Sequence, residues 1–153
     1  MSLLNTLVCE FQKDAFVIST DKSKLDIKLI HDYLSNHSYW AENIPREIVE
    51  RSIQNSLCFG LYHHNRQIGF ARVTTDFATF GYLADVFILE EYRSQGLSKW
   101  LMECILEKTP ELQGFRRWSL ATADAHGLYE QFGFTALARP ERMMEKVGFT
   151  KYS

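Results

Sequence analysis

Val86-Phe87-Ile88-Leu89-Glu90-Glu91-Tyr92-Arg93-Ser94-Gln95-Gly96-Leu97-Ser98-Lys99 passes from a short apolar run, through a polar turn holding one glycine and two cations, into an amphipathic pattern. Leu97, Leu101 and Ile105 recur at helical spacing, so a helix is expected from about Ser98 to Lys108. Strand, glycine turn and helix in this order make an anion grip. The turn aims backbone N–H groups at one spot, and the helix start adds roughly half a positive charge. Gly96 lets the backbone approach an anion closely. The stretch therefore predicts binding of a pyrophosphate-bearing cofactor.

Outward from this stretch, the chain reads as β-β-α-α-β-β-β-α-β-α-β. Leu3–Phe11 and Phe16–Ser19 read as strands, the first an added N-terminal element within residues 1–13. Ser23 with Asp26 resembles a capping box ahead of Ile27, Ile30 and Leu34, and Pro45 suits the first turn of a second helix. Leu57–His63 and Gln67–Thr75 flank the polar turn His64-Asn65-Arg66, and Tyr82–Leu89 reads as the next strand. Trp118–Thr122 is a short strand. Asp124 suits the N-cap of a helix with Ala125, Leu128, Tyr129 and Phe132 on its apolar face. Gly133 fits the left-handed position that ends it, and Phe134–Leu137 returns as a last strand. The fold class is α/β of the α+β type, with a mixed, mainly antiparallel twisted sheet and helices on both faces.

At 153 residues, 46% hydrophobic and 24% charged, the chain reads as one globular domain spanning 1–153. A net charge of −2 without a block of either sign argues against a nucleic-acid-binding module. Cys9, Cys58 and Cys104 are odd in number and widely spaced, which fits reduced core thiols rather than disulfides or zinc. His31 and His37 lack a carboxylate or cysteine at ligand spacing, so no metal is expected, and His63-His64 reads as a solvated turn. No run reaches transmembrane length and no signal-peptide pattern opens the chain; a cytoplasmic location without membrane contact is the expectation.

The common nucleotide motifs, Gly-x-Gly-x-x-Gly and Gly-x-x-x-x-Gly-Lys-Ser/Thr, are absent. Arg93-Ser94-Gln95-Gly96-Leu97-Ser98 instead resembles the Arg/Gln-x-x-Gly-x-Gly/Ala signature of the GNAT N-acetyltransferase superfamily, with Ser98 as a small-residue departure. Ala125-His126-Gly127-Leu128-Tyr129-Glu130-Gln131-Phe132-Gly133-Phe134 resembles the Ala-x-x-Leu-Tyr-Glu-x-x-Gly-Phe segment of the same family, in the family's order; position 122 is Thr where Asn is frequent. The resemblance covers about residues 14–140. It implies acetyl-CoA as cofactor and acetyl transfer to a primary amine, directly, in a ternary complex.

The resemblance also implies roles. Val86, Phe87 and Ile88 would pair their backbone with the pantetheine arm along a bulged strand, and one of their N–H groups would face the thioester oxygen. The turn Arg93, Ser94, Gln95, Gly96, Leu97 and Ser98 would hold the pyrophosphate, the Arg93 side chain included, with Lys99 adding charge. Thr122 and Ala125 fall at the cofactor side of the second motif. Tyr129, whose phenol is protonated at neutral pH, would give a proton to the departing sulfur. For the base, Asp85 on the cofactor strand would act through water, and His126 has a suitable intrinsic pKa. Tyr39, Trp40, Phe80 and Tyr82, with Phe77, are candidates for an acceptor cleft taking a small amine or a peptide. Other readings are a non-catalytic acetyl-CoA sensor, or an interaction domain that has lost the cofactor. A homodimer is expected, with Leu3–Phe11 either covering a sheet edge or pairing with a second chain.

Overall fold

The computed structural model describes residues 3–153. Its centre is one six-stranded sheet in the order β1 (Glu10–Lys13), β2 (Phe16–Ser19), β3 (Leu57–His63), β4 (Arg66–Thr75), β5 (Phe80–Ile88) and β6 (Arg117–Leu120). Every neighbouring pair is antiparallel except β5 with β6, which run parallel. Helices α2 (Ile27–His37) and α3 (Arg46–Gln54) cover one face, and α4 (Leu97–Glu103) with α5 (His126–Glu130) covers the other. β3 shows why both layers are needed: Leu57, Phe59 and Leu61 point to the α4 side, Cys58 to the α2–α3 side, and all are buried. Among the described residues no helix is long and apolar enough to cross a membrane.

Capping follows the side chains that reach the helix starts. Asp26 accepts from the Leu29 N–H at 3.0 Å and opens α2, while Ser23 belongs to a preceding 3₁₀ turn capped by Asp21. Pro45 precedes α3 as expected. Gly133, at φ +91°, ends α5: its N–H bonds the Glu130 carbonyl and the Phe134 N–H the Tyr129 carbonyl.

Four expectations change. Leu3–Thr6 is a helical turn (α1) rather than part of a strand, because Leu4 and Leu7, three apart, both pack on the core; residues 1 and 2 lie outside the described residues. The expected helix to Lys108 is α4 followed by a π-helical turn at Cys104–Lys108, whose carbonyl at Cys104 accepts the Thr109 hydroxyl. His63 is not a solvated turn residue: it stacks on Phe16 at 4.7 Å and bonds the Tyr92 hydroxyl at 3.0 Å. Phe134–Leu137 forms no strand, since no strand of the same chain lies alongside it.

Cys58 and Cys104 are buried free thiols, pushed up by burial to about 12 and about 11. They behave as small core residues.

Candidate functional site

The site is organised by what happens along β5. Phe87 lies opposite Phe70 and Ala84 opposite Arg72, so Asp85 and Val86 together face the single residue Ala71. This bulge places Asp85 at φ +53°, a backbone region that non-glycine residues seldom adopt. On its other side β5 pairs with β6 only as far as Leu83–Leu120, although β5 continues to Ile88. The two parallel strands therefore part just before the bulge. A cavity of about 410 Å³ opens there, walled by the bulge, by the Ala121–Ala125 loop and by Tyr39, Trp40, Tyr82 and Tyr129.

The bulge is braced from below. Arg72 Nε donates to Asp85 Oδ2 at 2.9 Å, and Arg72 Nη1 reaches Ser56 Oγ at 3.0 Å. The other carboxylate oxygen, Oδ1, accepts the Trp40 indole N–H at 2.8 Å. The Arg72 and Asp85 side chains are only 19% and 11% exposed, so the pair sits in a poorly solvated place. Removing one partner from such a pair leaves the other charge uncompensated. Arg72→Met is expected to lower stability by about 3 kcal/mol in urea unfolding. The double variant with Asp85→Asn should recover a good part of that loss.

Trp40 meets Tyr39 edge-on at 5.0 Å, and the Tyr39 hydroxyl accepts the Ala123 N–H at 2.9 Å. The α2–α3 connection is thereby joined across the cavity mouth to the loop after β6. Tyr129 is 8% exposed, on the inner face of α5. Burial, with Tyr39 and Asp124 nearby, pushes its phenol up to about 12. Ala125, rather than Asp124, is the N-cap residue of α5, with no side-chain cap; the Thr122 Oγ1 accepts the Ala125 N–H at 3.0 Å and closes the loop ahead of the helix.

At the end of β5 the chain turns into α4. Ser94 and Gly96 take φ +65° and +78°. A Cβ on Gly96 would meet no atom within 4 Å, so the space in front of the turn is open. Arg93, Ser94, Gln95, Gly96 and Lys99 are exposed there, while Leu97 is buried and anchors the helix. The Arg93 side chain folds back instead of extending from the turn. Its Nε donates to the Ile88 carbonyl at 2.9 Å and its Nη2 to the Tyr33 hydroxyl at 2.9 Å. Tyr33 in turn lies flat on Phe87, with ring centroids 3.9 Å apart.

The structure thus brings together Asp85, Val86, Thr122, Ala125, Tyr129, Tyr39, Trp40 and Tyr82, with the turn at 93–99 at the far end of the same strand. It leaves out Phe80, which is absent from the cavity wall, and Phe77, which packs on the core. His126 is exposed, at the start of α5. Among the described residues no cluster of three or more His, Cys, Asp or Glu could hold a metal ion. Sequence reasoning passed over Arg72, Ser56 and Tyr33. Arg72 had a signal: it is a charge set between Ala71 and Val73 in the apolar middle of β4.

Comparison with known proteins decides the family. The model of the acetyltransferase (GNAT) family matches residues 27–134, more than half of the chain. This chain belongs to the GNAT acetyltransferase family. A Gibberella zeae protein provisionally described as an acetyltransferase is 30% identical over 133 residues, 74% of this chain and 75% of that protein. A crystal structure from Xanthomonas campestris pv. campestris, provisionally assigned as a GNAT acetyltransferase, is 52% identical. It covers 86% of this chain and 92% of its own, with a TM-score of 0.84. A GNAT acetyltransferase from Elizabethkingia anophelis, solved with acetyl-CoA bound, shares the fold at 16% identity with a TM-score of 0.61, over 88% and 89% of the two chains. The mixed sheet with helices on both faces is the GNAT fold, as the sequence resemblance implies.

Proposed function

We propose that this GNAT protein is an acetyl-CoA-dependent N-acetyltransferase that carries an acetyl group directly to a primary amine in a ternary complex. The observation that carries the reading is the position of Tyr129, a proton-holding phenol on the wall of a cavity that opens where β5 and β6 part. The residues present fit the cofactor: the strand gap leaves room for an extended arm, and the turn at Gly96 takes a left-handed backbone facing space that no protein atom occupies. Acetyl-CoA, when bound, supplies an activated thioester.

The chain's own residues do the rest. Backbone N–H groups of Val86–Ile88 would hold the cofactor's extended arm and polarise its carbonyl. The amides of Arg93–Ser98, with the start of α4 and Lys99, bind the pyrophosphate. Arg93 keeps the turn in shape through Ile88 and contributes its charge. Tyr129 holds the phenolic proton that would be given to the leaving thiol. Asp85 is a carboxylate with about four acceptor sites. Arg72 and Trp40 each occupy one of its oxygens, and the remaining sites can take a water carrying the amine's proton.

Tyr39, Trp40 and Tyr82 form the acceptor side. Their rings suit a small amine with an apolar or aromatic body, and a net charge of −2 supplies little field to gather a polycation. Arylalkylamines are expected to exceed spermidine in kcat/KM, and Trp40→Ala to raise the KM for such an amine about tenfold while leaving that for acetyl-CoA nearly unchanged. Strong turnover of spermidine with no response to aromatic amines would reverse the assignment and point to Glu42 in the turn before α3 with Glu47 and Glu50 on α3. The deciding experiment for the activity itself is calorimetry with acetyl-CoA, followed by an amine panel read by free-thiol release. Binding without turnover of any amine favours the sensor reading, which the engaged carboxylate of Asp85 also suits. No binding removes both.

A further inference from the structure

We infer that the acceptor amine binds as its ammonium on Asp85 Oδ1, in the place that the Trp40 indole N–H holds, and that Trp40 is a latch released by a cation. The inference rests on the reading of the cavity between β5 and β6 as the acceptor cavity. Among the residues that line it, only Asp85 and Asp124 carry charge, and both are acidic. Asp124 is exposed, whereas the Asp85 side chain is 11% exposed. Tyr39, Trp40 and Tyr82 stand around it on the same wall. A poorly solvated carboxylate with aromatic rings beside it is a receptor for a cation. Arg72 does not line the cavity and engages Oδ2, its Nε at 2.9 Å. Oδ1 bonds a residue that does line the cavity, and that partner is a neutral donor, the indole N–H at 2.8 Å.

The indole is held in a way that lets it leave. Ser38 and Ala41 are buried and pin the loop between α2 and α3: the Ser38 hydroxyl donates to the Leu34 carbonyl at 2.6 Å and accepts the Ala41 N–H at 3.1 Å. Tyr39 and Trp40 stand out between these pins, 58% and 41% exposed. The Trp40 ring can therefore turn about its own side-chain torsions while the loop keeps its path. An ammonium on Oδ1 replaces a bond charged at one end with a bond charged at both, which is the stronger kind. An alcohol of the same shape brings only a neutral donor and gains nothing by displacing the indole. Trp40 thus sets a preference for amine over alcohol at the atom that reacts. The ring itself remains part of the cavity mouth, which is why losing all of it in Trp40→Ala weakens the acceptor, whereas losing only the N–H should not.

The probe is phenethylamine, with 2-phenylethanol as its uncharged counterpart, on the full chain with coenzyme A present. The chain holds three tryptophans, so the indole region of a nitrogen–proton NMR spectrum carries three signals, and Trp40→Phe assigns the one that reports on Asp85. That signal should move on adding phenethylamine and hold its position with 2-phenylethanol. Trp40→Phe removes the competing donor and keeps an aromatic ring, so the KM for phenethylamine should fall about fivefold while that for acetyl-CoA stays the same. A signal that holds its position with the amine, one that moves equally with the alcohol, or a KM that rises in Trp40→Phe overturns the inference. Thiol release from phenethylamine with an unmoved indole rejects the latch and leaves the transferase standing. A moved indole without thiol release keeps the latch and rejects the transferase.

Discussion

Tyr129→Phe should lower kcat by about 10²-fold with almost no change in acetyl-CoA affinity. The ring is buried and meets Phe134 edge-on at 5.9 Å, and phenylalanine preserves that packing. Only the hydroxyl is lost, and with it the proton proposed to reach sulfur. Because burial pushes the phenol up to about 12, the group keeps its proton throughout the neutral and mildly alkaline range. Its own loss of rate on deprotonation therefore falls near pH 12. Any alkaline limb between pH 7 and 9 belongs to another group and should be retained, at a lower plateau, in the variant. Stopped assays of thiol release across pH 6–10 measure both effects. A kcat within a few-fold of wild type would assign Tyr129 to packing and leave protonation to water.

Gly96→Val should remove measurable acetyl-CoA binding in calorimetry while the apo protein still folds. The backbone at φ +78° is costly for an L side chain, about 1–2 kcal/mol, and more so for a β-branched one. The added Cβ meets no protein atom within 4 Å, so the fold should tolerate the substitution with a modest fall in Tm. The added side chain projects into the space proposed for the pyrophosphate. Gly96→Ala separates the two effects, keeping the backbone penalty with less obstruction. Unchanged affinity in Gly96→Val, with normal melting, would move the anion site elsewhere.

The parts of this fold legible in the sequence are those set by local signals. The hairpin of β3 and β4 is announced by a polar turn between two apolar runs, and the path from β5 through Gly96 to α4 by a change of period from strand to helix. The features that shape the site depend on distant partners. The bulge at Asp85 arises from register against Arg72 and Ala71, which no reading of β5 alone contains. Asp124 is a capping residue by type, yet Ala125 takes the N-cap position and no side chain caps α5; Thr122 instead closes the loop before it by accepting the Ala125 N–H. Arg93 looks like an anion ligand by its place in the motif, and its guanidinium faces inward because Tyr33, sixty residues earlier, offers it an acceptor. The strand expected at 134–137 has the right residues but lacks a neighbour, and strand identity is a property of pairs.

The inward fold of Arg93 ties two regions that the chain keeps far apart. One guanidinium fastens the turn at 93–99 to the end of β5 and, through Tyr33, to α2. α2 runs directly into Tyr39 and Trp40, which line the cavity where β5 and β6 part. Under the proposed assignment, a ligand that tightens the turn also stiffens the segment proposed to receive the second reactant. Such linkage is reciprocal: whatever one occupant adds to the other's affinity is returned by the same factor. Tyr33→Phe removes the hydroxyl that ties Arg93 to α2, and under the proposed assignment the affinity for each reactant should then depend less on the other, as calorimetry with and without the second ligand would measure.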